Sequence, residues 1–246
     1  ETTTLARKNI ETTPHKYQCL TSPKERKQLI ETLGAISEFC FDTETTSLNT
    51  LDAELVGLAI SYEKGTAFYV PFPEDRTSTQ VLINEFKSIF ENEAIIKIGQ
   101  NLKYDIQILR KYDVTVKGKI FDTMLAHYLI DPEQAHGMDA LAEAYLNYAP
   151  VSIAKLIGPK GKKQKSMRDA PLEEITEYAG EDADITFQLK EKLALEVAER
   201  NLDKLLHEVE EPLSFVLADM EYSGVSIDEK ALSELSDELQ TESLRV

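Results

Sequence analysis

Four carboxylates and one tyrosine stand out for what their types and spacing could do. Asp42 and Glu44 close a run, Phe39-Cys40-Phe41, that reads as a buried strand. Side chains alternate along a strand, so acids two residues apart share a face. Like charges held side by side repel unless a cation or a proton compensates. The pattern Asp-x-Glu is not rare in this chain, as at Asp52/Glu54 and Asp131/Glu133, but the copy at Asp42/Glu44 directly follows a buried-looking strand. Its other reading is an exposed strand end. Asp105 falls on the apolar stripe of a helix starting near Leu102, below Leu109. An ionised carboxylate on that stripe needs a cation, a strong donor or a proton; a slightly different register would leave it at the surface. Asp182 repeats the pattern, because Ile175, Tyr178, Asp182, Ile185, Leu189 and Leu193 run along one helical face. Of the ten tyrosines, Tyr178 alone has an Asp four residues later.

Four acids from one strand and two helices, all aimed inward, would be unstable together without divalent metal. Two Mg²⁺ ions balance four negative charges, and an all-oxygen ligand set favours Mg²⁺, with Mn²⁺ as substitute, over zinc. A pair of such ions roughly 3.5–4 Å apart is a device for phosphodiester hydrolysis. Tyr178, with an ordinary pKa near 10, suits positioning a water through its hydroxyl better than acting as a base.

The elements that must hold these residues follow from turn and periodicity signals. Residues 1–16 are polar and Thr-rich and read as a linker or tail. Ser22-Pro23 starts a helix that runs to Leu33. Strands are expected at Phe39–Glu44, Leu55–Tyr62 and Thr66–Phe72, the last two joined as a hairpin by Glu63-Lys64-Gly65. A helix over 77–91 would bury Val81, Leu82, Ile83, Phe86, Ile89 and Phe90. A short strand at Ile95–Ile98 follows, then helices at Leu102–Tyr112, Thr123–Ile130, Met138–Tyr148, Leu172–Arg200 and Leu202–Tyr222. The fold class is α/β, with a mixed sheet flanked by helices. Glu173, Glu174, Glu177, Glu181 and Asp184 read as a solvated face of the long helix.

Composition narrows the function. The formal charge is −17 and the pI about 4.7, which argues against binding nucleic acid through overall charge. The one basic stretch is Gly158–Arg168, with Lys160, Lys162, Lys163, Lys165 and Arg168; it is either a phosphate-contacting loop or a solvated charge run. No apolar run is long enough for a membrane helix, and the N-terminus has no signal-peptide core. Cys19 and Cys40 make no disulfide framework and are expected reduced, as in a cytoplasm. His15, His127, His136 and His207 lack ligand spacing, and Asp122 reads as a helix cap.

Three stretches carry a family resemblance: Phe-Asp-Thr-Glu-Thr (41–45), Gly-Gln-Asn-Leu-Lys-Tyr-Asp (99–105) and Tyr-Ala-Gly-Glu-Asp-Ala-Asp (178–184). With Phe-Asp-Thr-Met-Leu (121–125) and Gly-Met-Asp-Ala-Leu-Ala (137–142), the sequence resembles the 3′→5′ proofreading exonuclease domains of bacterial DNA polymerase I, within the DEDDy exonuclease superfamily. The resemblance implies a ribonuclease H-like fold and hydrolysis of DNA from its 3′ end to 5′-mononucleotides. It implies Asp42, Glu44, Asp105 and Asp182 as ligands of two Mg²⁺ ions, with Asp42 bridging them and Asp105 acting largely through water. Tyr178 would orient the attacking water, Leu48 would wedge against the terminal bases, and Gln100, Asn101 and Tyr104 would lie along a single-stranded or frayed 3′ end. It further implies an exonuclease domain over 17–200 and the truncated start of a polymerase domain over 201–246, with the polymerase in cis in the full-length protein. A bacterial cytoplasm, beside the nucleoid, and a monomeric fragment are the matching expectations. Two other readings remain open from the sequence: a catalytically silent docking module of the same fold, and a ribonuclease D-like RNA exonuclease.

Overall fold

The computed structural model describes residues 8–245 except 160, 162 and 163. Strand β1 (Lys16–Cys19) precedes helix α1 (Pro23–Leu33), which opens on a capping box between Ser22 and Glu25. Strands β2 (Glu38–Thr45), β3 (Leu55–Glu63) and β4 (Thr66–Pro71) follow as an antiparallel meander. Two short helices, α2 (Arg76–Asn84) and α3 (Lys87–Phe90), lead to β5 (Ile96–Gly99) and α4 (Leu102–Arg110). Strand β6 (Ile120–Asp122) runs into α5 (Thr123–Ile130). Short α6 (Met138–Leu141) continues as a π-turn, and α7 (Ile153–Ile157) precedes the 28-residue α8 (Leu172–Glu199). The chain closes with α9 (Asp203–Leu205), α10 (Glu211–Ser223) and α11 (Glu229–Ser243).

The six strands lie in the order β1-β4-β3-β2-β5-β6. Strand β3 pairs antiparallel with both neighbours, whereas β2, β5 and β6 run parallel. Strand β2 shows how the sequence selects this arrangement. Phe39 and Phe41 point to one face and pack with Phe90, α1, α2 and α4; Cys40 points to the other and packs beneath α8. The run Leu55–Ile60 is buried throughout because both faces of β3 are covered. Helix α8 lies against β1 to β5, and its small residues Ala179, Gly180 and Ala183 let it approach closely. A Cβ at Gly180 would stand 2.9 Å from Cγ of Tyr17.

Several expectations need correction. The helix expected over 77–91 breaks between Asn84 and Lys87, and Val81 faces solvent while Ile83, Phe86, Ile89 and Phe90 are buried. The segment 202–222 is interrupted by a π-turn at Leu206–Glu210. Strand β1 was not expected; it adds parallel to the edge strand β4, where main-chain pairing outweighs a weak apolar pattern. Glu181 and Asp184 are buried, not solvated: Glu181 accepts from Tyr148 Oη and Val151 N, and Asp184 from Tyr17 Oη and Gly65 N. No helix among the described residues is long and apolar enough to cross a membrane.

Candidate metal centre

Beyond Phe41, strand β2 keeps its alternation into the acidic pair. Asp42 and Glu44 therefore continue the face of Cys40, beneath α8, and Thr43 continues the opposite one. Helix α8 presents Asp182 to the same spot: one carboxylate oxygen from each of Asp42, Glu44 and Asp182 lies within 4.8 Å of the others. A β-bulge at Glu44/Thr45 follows at once, a distortion that re-aims side chains beside functional sites.

Asp105 lies outside that trio, on the other side of β2, but lines the same cleft as Asp42 and Glu44. It sits in the first turn of α4, is only 2% exposed, and accepts from Thr43 N at 2.9 Å and Thr43 Oγ1 at 2.5 Å. The turn before α4 positions it. Asn101 takes a left-handed conformation (φ 60°, ψ 48°), and Asp122 accepts from Asn101 N and Leu102 N. The same Asp122 carboxylate accepts from Met124 N and Leu125 N, so it caps α5 as expected and ties α4 to it.

The electrostatics are those of crowded anions. Desolvation pushes Asp42 up to about 6. Glu44 is driven well above the usual carboxylate range by burial, then by the charges of Asp42 and Asp105. Asp182 follows, through burial and the charges of Asp42 and Glu44. For Asp105, burial and Asp42 prevail over the two opposing hydrogen bonds from Thr43. Two buried oxygens, Glu44 Oε1 and Asp182 Oδ1, have no protein hydrogen-bond partner. Buried polar atoms are rarely left so, and an unpartnered oxygen pair among converging carboxylates fits an oxygen-liganded divalent cation. Tyr178 lies one helical turn before Asp182, and its hydroxyl is shifted far upward by burial and by the Asp182 and Glu44 charges.

A cleft of about 590 Å³ opens onto Asp42, Glu44 and Asp105. Leu48, 85% exposed, stands at its rim. Gln100, Asn101 and Tyr104 line it, but two of the three are already engaged. Gln100 donates to His136 O and accepts from Thr123 Oγ1; Tyr104 Oη bonds Ser47 O and Thr45 Oγ1, bracing the segment that carries Leu48. Helix α7 supplies a wall through Ile153, Ala154 and Ile157, a contribution that sequence reading missed because 149–158 shows no long periodicity. Thr43 was missed too, although its place between two acids on one strand is the available signal.

The basic stretch divides. Lys165 lines the cleft. Arg168 does not reach it as a free cation: its guanidinium donates to Leu55 O and Phe72 O, because those strand-end carbonyls need partners. Lys160, Lys162 and Lys163 lie outside the described residues.

Comparison with known proteins then decides the family. Residues 17–198 match the family described as 3′-5′ exonuclease. The chain belongs to this 3′-5′ exonuclease family. DNA polymerase I of Borreliella burgdorferi is 36% identical over 226 residues, covering 91% of this chain and 24% of that protein. DNA polymerase I of Rhizobium leguminosarum is 34% identical over 223 residues, covering 81% and 22%. The chain thus spans about a quarter of the length of these relatives. In fold, this exonuclease domain is similar to the POL domain of Pol1 from M. smegmatis in complex with DNA primer-template and dNTP (TM-score 0.71, 22% identity, 91% of this chain, 35% of that one). It is also similar to Brucella melitensis NrnC with bound Mg²⁺ (TM-score 0.65, 19% identity, 88% and 98%). A third likeness is the catalytic core of RRP6 from Trypanosoma brucei (TM-score 0.64, 17% identity, 83% and 53%). The expected α/β architecture is therefore the observed one, and the chain is a metal-dependent nuclease by family.

Proposed function

We propose that this exonuclease acts on DNA, removing 5′-mononucleotides from a single-stranded or frayed 3′ end, with Asp42, Glu44, Asp105 and Asp182 holding two Mg²⁺ ions. The observation that carries the reading is the meeting of three carboxylates within 4.8 Å, two of them with orphaned buried oxygens. Bound there, divalent cations supply activation of water and neutralisation of charge at the scissile phosphate. The protein's own groups do the rest. Asp42, Glu44 and Asp182 offer lone pairs from one face of the sheet; Thr43 fixes the orientation of Asp105 from the other. Burial and the neighbouring carboxylates raise the Tyr178 hydroxyl far above its ordinary pKa, which suits it to orient the attacking water as a hydrogen-bonding group, not as a base.

Substrate is gripped without large positive charge. Leu48 is the wedge between the terminal bases, Asn101 and Lys165 meet the strand, and Gln100 and Tyr104 shape its path. Stacking and local backbone contacts suffice for a few nucleotides. That the relatives are DNA polymerase I supports reading 201–246 as the opening of a polymerase domain joined in cis, with the exonuclease over 17–200. It also supports a bacterial cytoplasmic setting at the nucleoid.

The test is direct: 5′-labelled single-stranded DNA and an RNA of matching sequence, each with Mg²⁺, Mn²⁺ or EDTA. Chelator-sensitive shortening of the DNA from its 3′ end is the expected result. Shortening confined to RNA would replace the substrate assignment, and no shortening by folded protein at any metal concentration would leave a silent docking module.

A further inference from the structure

A second crevice lies on the opposite side of α8 from the acid cluster. Asp182 and Asp184 are two residues apart, about 200° around a helix, so Asp184 turns away from the metal centre, and Gln188 and Lys192 continue the crevice wall along α8. Together with the N-terminal strap 8–17 and the β3–β4 turn, that face encloses about 470 Å³, within the range of ligand sites. Its lining concentrates cations in a chain of net charge −17: Lys8 from the strap, Lys64 from the turn, Lys192 from the helix, and His15. All three lysines are exposed, and none forms an ion pair among the described residues. Asp184, the one carboxylate in the lining, is already satisfied by Tyr17 Oη, Gly65 N and Gln188 Nε2. The crevice wall thus carries three lysines from separate elements against the single buried carboxylate of Asp184, whose hydrogen bonds are already taken. Tyr145 and the outer side of Tyr17, both half-buried, add aromatic surface beside them, whereas Tyr148 is buried with its hydroxyl on Glu181.

We propose that this crevice is a second binding site, for a phosphate ester carrying a planar base. Three point charges from separate elements suit a phosphate, and tyrosine rings suit a base. Either a free nucleoside monophosphate or a phosphate of a nucleic-acid strand presents that chemistry. The site is separate from the metal centre and does not depend on the catalytic reading.

Equilibrium titration of the whole chain in EDTA tests it, with deoxyadenosine 5′-monophosphate, inorganic phosphate and a short oligodeoxynucleotide as probes. Lys64→Glu/Lys192→Glu, both exposed positions, should bind at least tenfold more weakly while keeping its melting temperature and its nuclease turnover. Asp42→Ala should bind as the parent does. Tight binding of the monophosphate identifies the free nucleotide as the source, and binding of the oligonucleotide alone identifies a strand. Absence of binding by all three probes, equal affinity in the double variant, or loss of binding in Asp42→Ala would each overturn the proposal.

Discussion

Removing Asp42 takes away a charge that Glu44, Asp105 and Asp182 all feel. Asp42→Ala should therefore abolish nuclease turnover while leaving the metal-free fold intact or slightly more stable; near-parental turnover would refute the site. Tyr178→Phe removes one hydroxyl and no ligand, so its rate loss should stay below about 10²-fold, the lower edge of general acid–base contributions. The pH dependence follows from the upward shifts. Asp42, at about 6, and Glu44, Asp105 and Asp182, each raised well above the ordinary carboxylate range, bind protons more tightly folded than unfolded. Their stabilisation is complete below the ordinary carboxylate pKa of about 4 and is lost as pH rises through about 6 and beyond. In EDTA the melting temperature should fall between pH 5.5 and pH 8, less steeply in Asp42→Asn. A midpoint that rises over that interval would contradict the crowding.

At the scale of elements, α8 places both Tyr178 and Asp182, and the strap fixes α8. His15 bonds Glu177, Tyr17 bonds Asp184, and the Tyr17 ring packs on Gly180. Gly180→Ala pushes a methyl into that ring and should cost about 1–3 kcal/mol, as overpacking does; urea unfolding measures it. Much of this was legible beforehand. The alternation Phe39-Cys40-Phe41-Asp42 gives both the strand and the facing of its acids, and Tyr178 and Asp182 share a helical face whatever the tertiary setting. What was not legible depends on contacts distant in sequence. Asp184 looks like a solvated acid until Tyr17, from 167 residues away, supplies its donor. Arg168 reads as a free cation until the carbonyls of Leu55 and Phe72 are beside it. Helix α7 is too short for periodicity to reveal.

For the whole molecule, divalent ions held by the acid cluster would be ligands of the folded state, because only folding brings those carboxylates together. Saturating Mg²⁺ or Mn²⁺ at about 100 times its dissociation constant should add roughly 2.7 kcal/mol per independent site. Calorimetry at pH 8 with and without EDTA reads this directly, and the gain should vanish in Asp42→Ala. The two halves of the centre, however, rest on opposite sides of β2, so their alignment depends on how α4 is anchored. That anchor is Asp122, a single side chain serving four main-chain amides at two helix starts. Fraying at the start of α5 therefore loosens the turn beneath Asp105 as well. The starts of the two helices are coupled through that one carboxylate, whose loss, at about 0.5–2 kcal/mol for a helix cap, would be felt beneath Asp105 as well as at α5.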